Sequence, residues 1–343
     1  MSEFNELSAE RSINSASLDS IELKVKFDSG GATRSKVLFG NGRVQVKVQV
    51  LVSGFDENGQ PVSIPADVLN TVELIHYNTG RTLRDGWKAS AEQGRYTQEA
   101  PVSADLMDAS GDESQYHAHR HVRTFWVSSA GVGSTQIAAR VLLNGNVIQS
   151  NGTGLLARQD SSITLDALLP VSYSLDQFHL KSVRRGNEAP GNRISNYYLG
   201  LNHQGQQIKL VDWVASRGTG NLVFAHGNWL GAPATNYLQG ILASPDQDDV
   251  TVKLPVNDNT FLDVIFSGPA SVSSEVSQEY LVRVNDRHGE LTIVQAISEY
   301  AYNYAKYTVD EAFHFSAIDQ YGSEHKLAIR TDAAEGLFIL ERG

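Results

Sequence analysis

Residues 43–52 read Arg43-Val44-Gln45-Val46-Lys47-Val48-Gln49-Val50-Leu51-Val52. Valine recurs at every second position from 44 to 52, with Arg43, Gln45, Lys47 and Gln49 between. A period of two puts the valines on one face of an extended chain and the polar residues on the other. Branching at Cβ stiffens χ1, which suits a pleated strand and crowds a helix. The stretch predicts a half-buried β-strand, and the same pattern recurs on both sides of it. Upstream, Ile21, Leu23, Val25 and Phe27 alternate with Glu22, Lys24, Lys26 and Asp28. Downstream, Asp56-Glu57-Asn58-Gly59 supplies residues that tolerate positive φ, and residues 62–64 and 71–77 read as further strands. Residues 121–128 and 135–143 form the next pair. Asn144-Gly145 and then Val147-Ile148 follow, the signature of a two-residue hairpin.

About seven short strands thus fall between residues 20 and 168, separated by turn residues. In that count and spacing the segment resembles bacterial immunoglobulin-like domains, without the cysteine pair of antibody domains. Residues 1–19 are polar and aperiodic and read as a flexible N-terminal arm. Leu168-Leu169-Pro170 marks a boundary. Beyond it strand-like runs continue at 173–180, 196–201, 207–213, 221–225, 250–254, 261–266, 279–284, 291–297, 312–318, 326–330 and 337–341. Residues 232–242 read as a short helix. The expected fold is all-β: tandem antiparallel β-sandwich domains with little helix. The first, immunoglobulin-like, spans 20–168, and a second β-rich domain spans 169–343, with a division near 270 left open. A length of 343 residues accommodates two or three such domains.

Composition narrows the function classes. With no cysteine, disulfides, thiolate metal sites and cysteine nucleophiles are excluded. The hydrophobic fraction of 41% and charged fraction of 20% are those of a globular chain rather than a disordered one. Net charge is −11, and residues 244–343 carry most of it, with about 17 acids against about 7 bases. That balance disfavours phosphate backbones and anionic membranes. No stretch approaches the roughly 18 apolar residues of a membrane span. Residues 1–7 lack the apolar core of a signal peptide, so cytoplasmic synthesis is expected, with non-classical export or association with a particle as routes outward.

Three constellations carry candidate chemistry. In Tyr116-His117-Ala118-His119-Arg120-His121, a strand would put His117, His119 and His121 on one face, about 7 Å apart, where imidazoles could share Zn²⁺. The run resembles the His-x-His-x-Asp-His of metallo-β-lactamase-like hydrolases but lacks the aspartate. Asp246-Gln247-Asp248-Asp249 and Asn257-Asp258-Asn259 crowd oxygen ligands of the kind Ca²⁺ takes, and the second segment resembles a cadherin linker. Asp246, Asp248, Asp249 and Asp258 are its candidate ligands. In residues 300–307 an extended chain would align Tyr300, Tyr302 and Tyr304 as a row for stacking on sugars or packing against protein. His226-Gly227-Asn228-Trp229 offers a further binding pair, His226 and Trp229.

The sequence has no G-x-S-x-G elbow, P-loop, dinucleotide fingerprint or H-E-x-x-H motif. The leading expectation is a non-enzymatic binding or structural β-protein, bacterial or phage in style, recognising a glycan or protein partner, with homo-oligomerisation open. The alternatives are a carbohydrate-active or metal-dependent hydrolase, whose carboxylate pair need not be close in sequence, and an effector or toxin component exported without a signal peptide.

Overall fold

A computed structural model describes residues 17–28, 33–96, 120–152, 160–216, 220–232, 235–255, 277–300, 312–332 and 334–343, with backbone only at 226–232 and 235. Nearly all regular structure is β. The chain divides into two compact units, Met1–Leu169 and Pro170–Gly343.

Unit 1 contains β1 (Ser20–Phe27), β2 (Ser35–Phe39), β3 (Val46–Phe55), β4 (Pro61–Val62), a five-residue helix α1 (Ala66–Asn70), β5 (Glu73–His76), β6 (Trp87–Ser90), β7 (Arg120–Ser129), β8 (Gly133–Leu143), β9 (Asn146–Gln149) and β10 (Ile163–Leu168). One sheet runs β1-β3-β7-β6 with β4 beside β3. The other runs β2-β10-β8-β5 with β9 beside β8. The β2–β10 pair is parallel. The alternation in the sequence is realised directly: Leu23 opposes Val52, Val25 opposes Val50 and Phe27 opposes Val48, all turned inward and buried. The facing sheet contributes Ile137, Ala139 and Leu165, and β1 packs against β8 and β10. A buried serine links the layers, Ser161 Oγ accepting the Val25 N–H at 2.9 Å. Asn144 and Gly145 both have positive φ, 50° and 78°, as a two-residue hairpin between β8 and β9 requires. The strands β2, β6 and β10 take the count above the seven expected, and the strand read at 62–64 is the two-residue β4. In β2 and β6 too few residues alternate for the sequence to reveal them.

Unit 2 contains β11 (Phe178–Arg184), β12 (Asn192–His203), β13 (Gln206–Ile208), β14 (Leu210–Val214), β15 (Leu222–Ala232), β16 (Thr235–Leu242), β17 (Asp249–Pro255), β18 (Ser277–Arg283), β19 (Leu291–Ser298), β20 (Phe313–Asp319), β21 (Glu324–Asp332) and β22 (Leu337–Arg342). A central sheet, β11-β12-β19-β16-β15 with β13 beside β12, is covered on both faces. On one side lies the two-stranded ribbon β17–β18, whose Val250, Val252, Leu254 and Val282 pack on Ile194, Ile241, Val294 and Ala296. On the other lies the sheet β14-β20-β21-β22, where Phe338 meets the Tyr197 ring at 5.2 Å. Every residue of β19 is buried, because both of its faces meet protein. The strands β17 and β18 flank residue 270 and pair with each other, so the chain on either side of it belongs to one unit.

The short helix expected at 232–242 is instead the strand β16. Its Tyr237 and Ile241 face the ribbon while Leu238 and Leu242 enter the other core layer. A strand buried on both faces loses period-two alternation, which is why its apolar spacing imitates a helix. Gly240 sits where a Cβ would come 2.8 Å from both Phe224 Cζ and Phe338 Cζ. The expected strand at 261–266 lies outside the described residues.

Candidate functional site

Among the described residues of unit 2 there is a cleft of about 430 Å³ between the ribbon strand β18 and the β11–β12 hairpin. Its volume falls in the range of small-ligand and peptide sites. Stacking the ribbon on the central sheet creates it. The floor is Ile194 and Tyr198 on β12, one wall is Tyr280, Leu281 and Val282 on β18, and the other is the end of β11 with the turn after it. Arg184, Arg185 and Arg287 line it together with Glu188 and Asp286.

The polar contacts fix this arrangement. The Tyr198 hydroxyl donates to Asp286 Oδ1 at 2.9 Å and accepts from Asn196 Nδ2 at 3.3 Å. Burial raises the Tyr198 phenol above its ordinary pKa; the Asn196 bond opposes that and the Asp286 bond adds to it. The Arg287 guanidinium lies 3.7 Å from the Tyr198 ring centre. The Arg283 carbonyl accepts from Asn196 Nδ2 at 2.8 Å and from Arg185 Nη1 at 3.3 Å, tying β18 to the central sheet. Glu188 Oε1 accepts from the backbone N–H groups of Gly186 and Ile194, holding the hairpin turn. The Tyr280 hydroxyl takes the Ala189 N–H at 3.0 Å and donates to Gln278 Oε1 at 3.1 Å. Each carboxylate that lines the cleft thus has an oxygen committed to shape.

A polar track continues from the cleft along the same sheet face. Arg287 Nη1 approaches Glu290 Oε2 at 3.6 Å, and Glu290 Oε1 meets His179 Nε2 at 3.3 Å. The imidazole lies across Gly200, where a Cβ would stand 2.5 Å from the ring, so glycine is required for this contact.

A second polar cluster in unit 2 is enclosed. Asp319 Oδ2 meets His325 Nε2 at 3.0 Å, with the side chains 2% and 4% exposed. Asp319 Oδ1 accepts the N–H groups of Tyr321 and Ser323, both at 2.9 Å. The His325 ring packs against Tyr173 and Phe178. Burial, then the nearby Asp319 and Tyr321, raise the Tyr173 phenol to about 12. The pair locks the β20–β21 turn.

The residues singled out from the sequence fall elsewhere. His117, His119, Asp258, Tyr302 and Tyr304 lie outside the described residues. His121 on β7 pairs with Val52, which places it on the core-facing side, and its Nε2 is buried without a hydrogen-bond partner among the described residues. Tyr300 sits in a bend after β19 ends at Ser298. Asp246 and Asp248 are exposed before β17, and Asp249 opens it opposite Arg283. His226 and Trp229 lie on β15, and their side chains fall outside the described set. Among the described residues no three His, Asp or Glu side chains converge on a metal-sized site, and no helix is long and apolar enough to cross a membrane. Sequence reading missed the cleft. Its only traces there are the pairs Arg184-Arg185 and Asp286-Arg287, each ordinary alone and about 100 residues apart.

No protein-family model matches the chain, and no curated relative does. Among solved structures it is similar to the sialic acid binding region of a Streptococcus sanguinis SK1 adhesin bound to 3′sLn, at 11% identity and TM-score 0.22, covering 90% of this chain and 75% of that one. It is also similar to the C-terminal domain of the Streptococcus pyogenes antigen I/II-family protein AspA, at 10% identity and TM-score 0.20, covering 90% and 98%. The C-terminal domain of the Streptococcus agalactiae AgI/II polypeptide BspA gives 10% identity and TM-score 0.20, covering 94% and 100%. Likenesses this slight carry no argument about fold or ligand.

Proposed function

We propose that this chain is a non-enzymatic recognition protein that holds a glycan or protein partner in the cleft of unit 2. One observation carries the reading: in a chain of net charge −11, Arg185 and Arg287 come from separate segments to one concave surface, where Glu188 and Asp286 are tied up in hydrogen bonds. Fixed cations in a cleft are suited to recognition. The cleft's carboxylates hold backbone and tyrosine groups, which favours binding over acid–base chemistry. In unit 1, the order β1-β3-β7-β6 against β2-β10-β8-β5 supports an immunoglobulin-type sandwich acting as a scaffold, since it follows the A-B-E-D and G-F-C order of that fold.

The test is a glycan array and a peptide array probed with the wild type and with Arg185→Glu. The expected result is a defined set of binders that the variant loses while it still unfolds cooperatively. Binders retained in full by the variant would overturn the assignment to this cleft.

A further inference from the structure

We propose that the cleft takes an extended acidic peptide of a partner protein, which adds as a strand to the edge of β18 that no described strand pairs; this rests on the recognition role proposed above. The ribbon's hydrogen-bond phase is readable. The Val284 N–H donates to the Asp248 carbonyl at 2.7 Å, while Arg283 stands opposite Asp249. In an antiparallel ladder that bond makes Arg283–Asp249 a non-hydrogen-bonded pair. Val282 and Tyr280 then bond to β17, and the N–H and C=O groups of Arg283, Leu281 and Glu279 point away from it. The Arg283 carbonyl confirms the phase, since its partners are Asn196 and Arg185 rather than β17. Among the described residues β18 pairs only with β17. Leu281, in the middle of this edge, therefore presents both backbone groups toward the cleft it lines.

The edge is charged at Glu279 and Arg283 but apolar between them. Proteins guard free edges with charges, proline or bulges, yet Leu281 is an apolar side chain 72% exposed at the strand's centre, and Val183 across the cleft is 41% exposed. Glu279 is paired with Lys253 at 2.6 Å, and Glu188 and Asp286 already accept hydrogen bonds from the protein, so the cation best placed to meet an incoming strand is Arg185, with Arg287 beside it. These features select a segment with acidic and aliphatic side chains in alternation. Main-chain bonds to Leu281 would supply affinity, and the arginines and Leu281 the specificity. The ligand is a segment rather than a second copy of this chain. Beside the edge lie the cleft's own floor and far wall, β12 and β11, where a strand about 4.8 Å away fits and a strand carrying its own sheet does not. A glycan is less favoured, because the Tyr198 ring face that would stack on a sugar already carries Arg287.

Fluorescence anisotropy with a labelled peptide Glu-Val-Asp-Val-Glu-Val-Asp tests this on the full chain. Controls are the same peptide with lysine at the acidic positions and one N-methylated at alternate residues. Binding should weaken at least tenfold for both controls, for Arg185→Glu, and for Leu281→Pro, which removes an outward N–H that β17 does not use. Equal binding of the N-methylated peptide would overturn strand addition, as would equal binding of the lysine peptide. Concentration-dependent dimers that Leu281→Pro abolishes would assign the edge to a second copy and also overturn it. Glycan-array binders lost in Arg185→Glu, with no peptide bound, would overturn the peptide while keeping the cleft as a recognition site. The recognition reading fails separately if both arrays are blank.

Discussion

Arg287 holds its guanidinium 3.7 Å from the centre of the Tyr198 ring, while the Tyr198 hydroxyl donates to Asp286, the residue before Arg287. The turn after β18 is therefore clamped to β12 from both the face and the tip of one tyrosine, and the clamp forms the cleft floor. A double-mutant cycle of Arg287→Ala and Tyr198→Leu should give a coupling of about 0.5–2 kcal/mol in urea unfolding. Additive losses would show that the stack contributes nothing to the clamp.

Asp319 serves two backbone N–H groups and His325 from a site sealed from water. Asp319→Ala removes the acceptor of both N–H groups and the carboxylate beside His325, and should destabilise the protein by about 3 kcal/mol or more. Chemical denaturation reads this directly. A loss below about 1 kcal/mol would mean that the turn holds by other contacts.

Tyr173 gives the protein an alkaline limit. Its phenol is raised to about 12 in the folded state by burial and by nearby Asp319 and Tyr321, against about 10 in an unfolded chain. The folded state thus favours the neutral phenol. The stability that follows is complete below pH 10 and is lost as pH rises through 10 to 12, where the unfolded tyrosine ionises first. Denaturant midpoints of the wild type should fall more steeply over that window than those of Tyr173→Phe. Parallel curves would contradict the raised pKa.

Gly40 in unit 1 has no room for a side chain. A Cβ there would stand 2.3 Å from the Gly131 carbonyl oxygen, a backbone atom that cannot swing aside. Gly40→Ala should destabilise by about 1–3 kcal/mol, seen as a lowered thermal midpoint. An unchanged midpoint would mean that the loops carrying Gly40 and Gly131 move apart easily.

Much of the fold was legible where one sheet face meets water. Ile21 to Phe27 and Val44 to Val52 alternate because one side is core and the other solvent, and Asn144-Gly145 names its hairpin because positive φ at both positions restricts residue choice. Legibility fails in unit 2, where β16 and β19 are covered on both faces, so Tyr237 beside Leu238 carries no period. The cleft was not legible. Residues 183–198 and 280–287 meet only because a ribbon stacks on a sheet, and no local pattern records that stacking. The histidine and tyrosine runs stood out because like residues cluster in the sequence. The cleft instead gathers Tyr198, Tyr280, Arg185 and Arg287 from separate strands and turns.

Hydrogen exchange on the full chain, with and without saturating Glu-Val-Asp-Val-Glu-Val-Asp peptide or the tightest array binder, tests the cleft as a recognition site most directly. The account predicts slowed exchange confined to residues 184–188 and 279–287, with the Leu281 amide the most protected under the peptide. Protection confined to unit 1, or bound ligand with no change around Arg185 and Leu281, would contradict it.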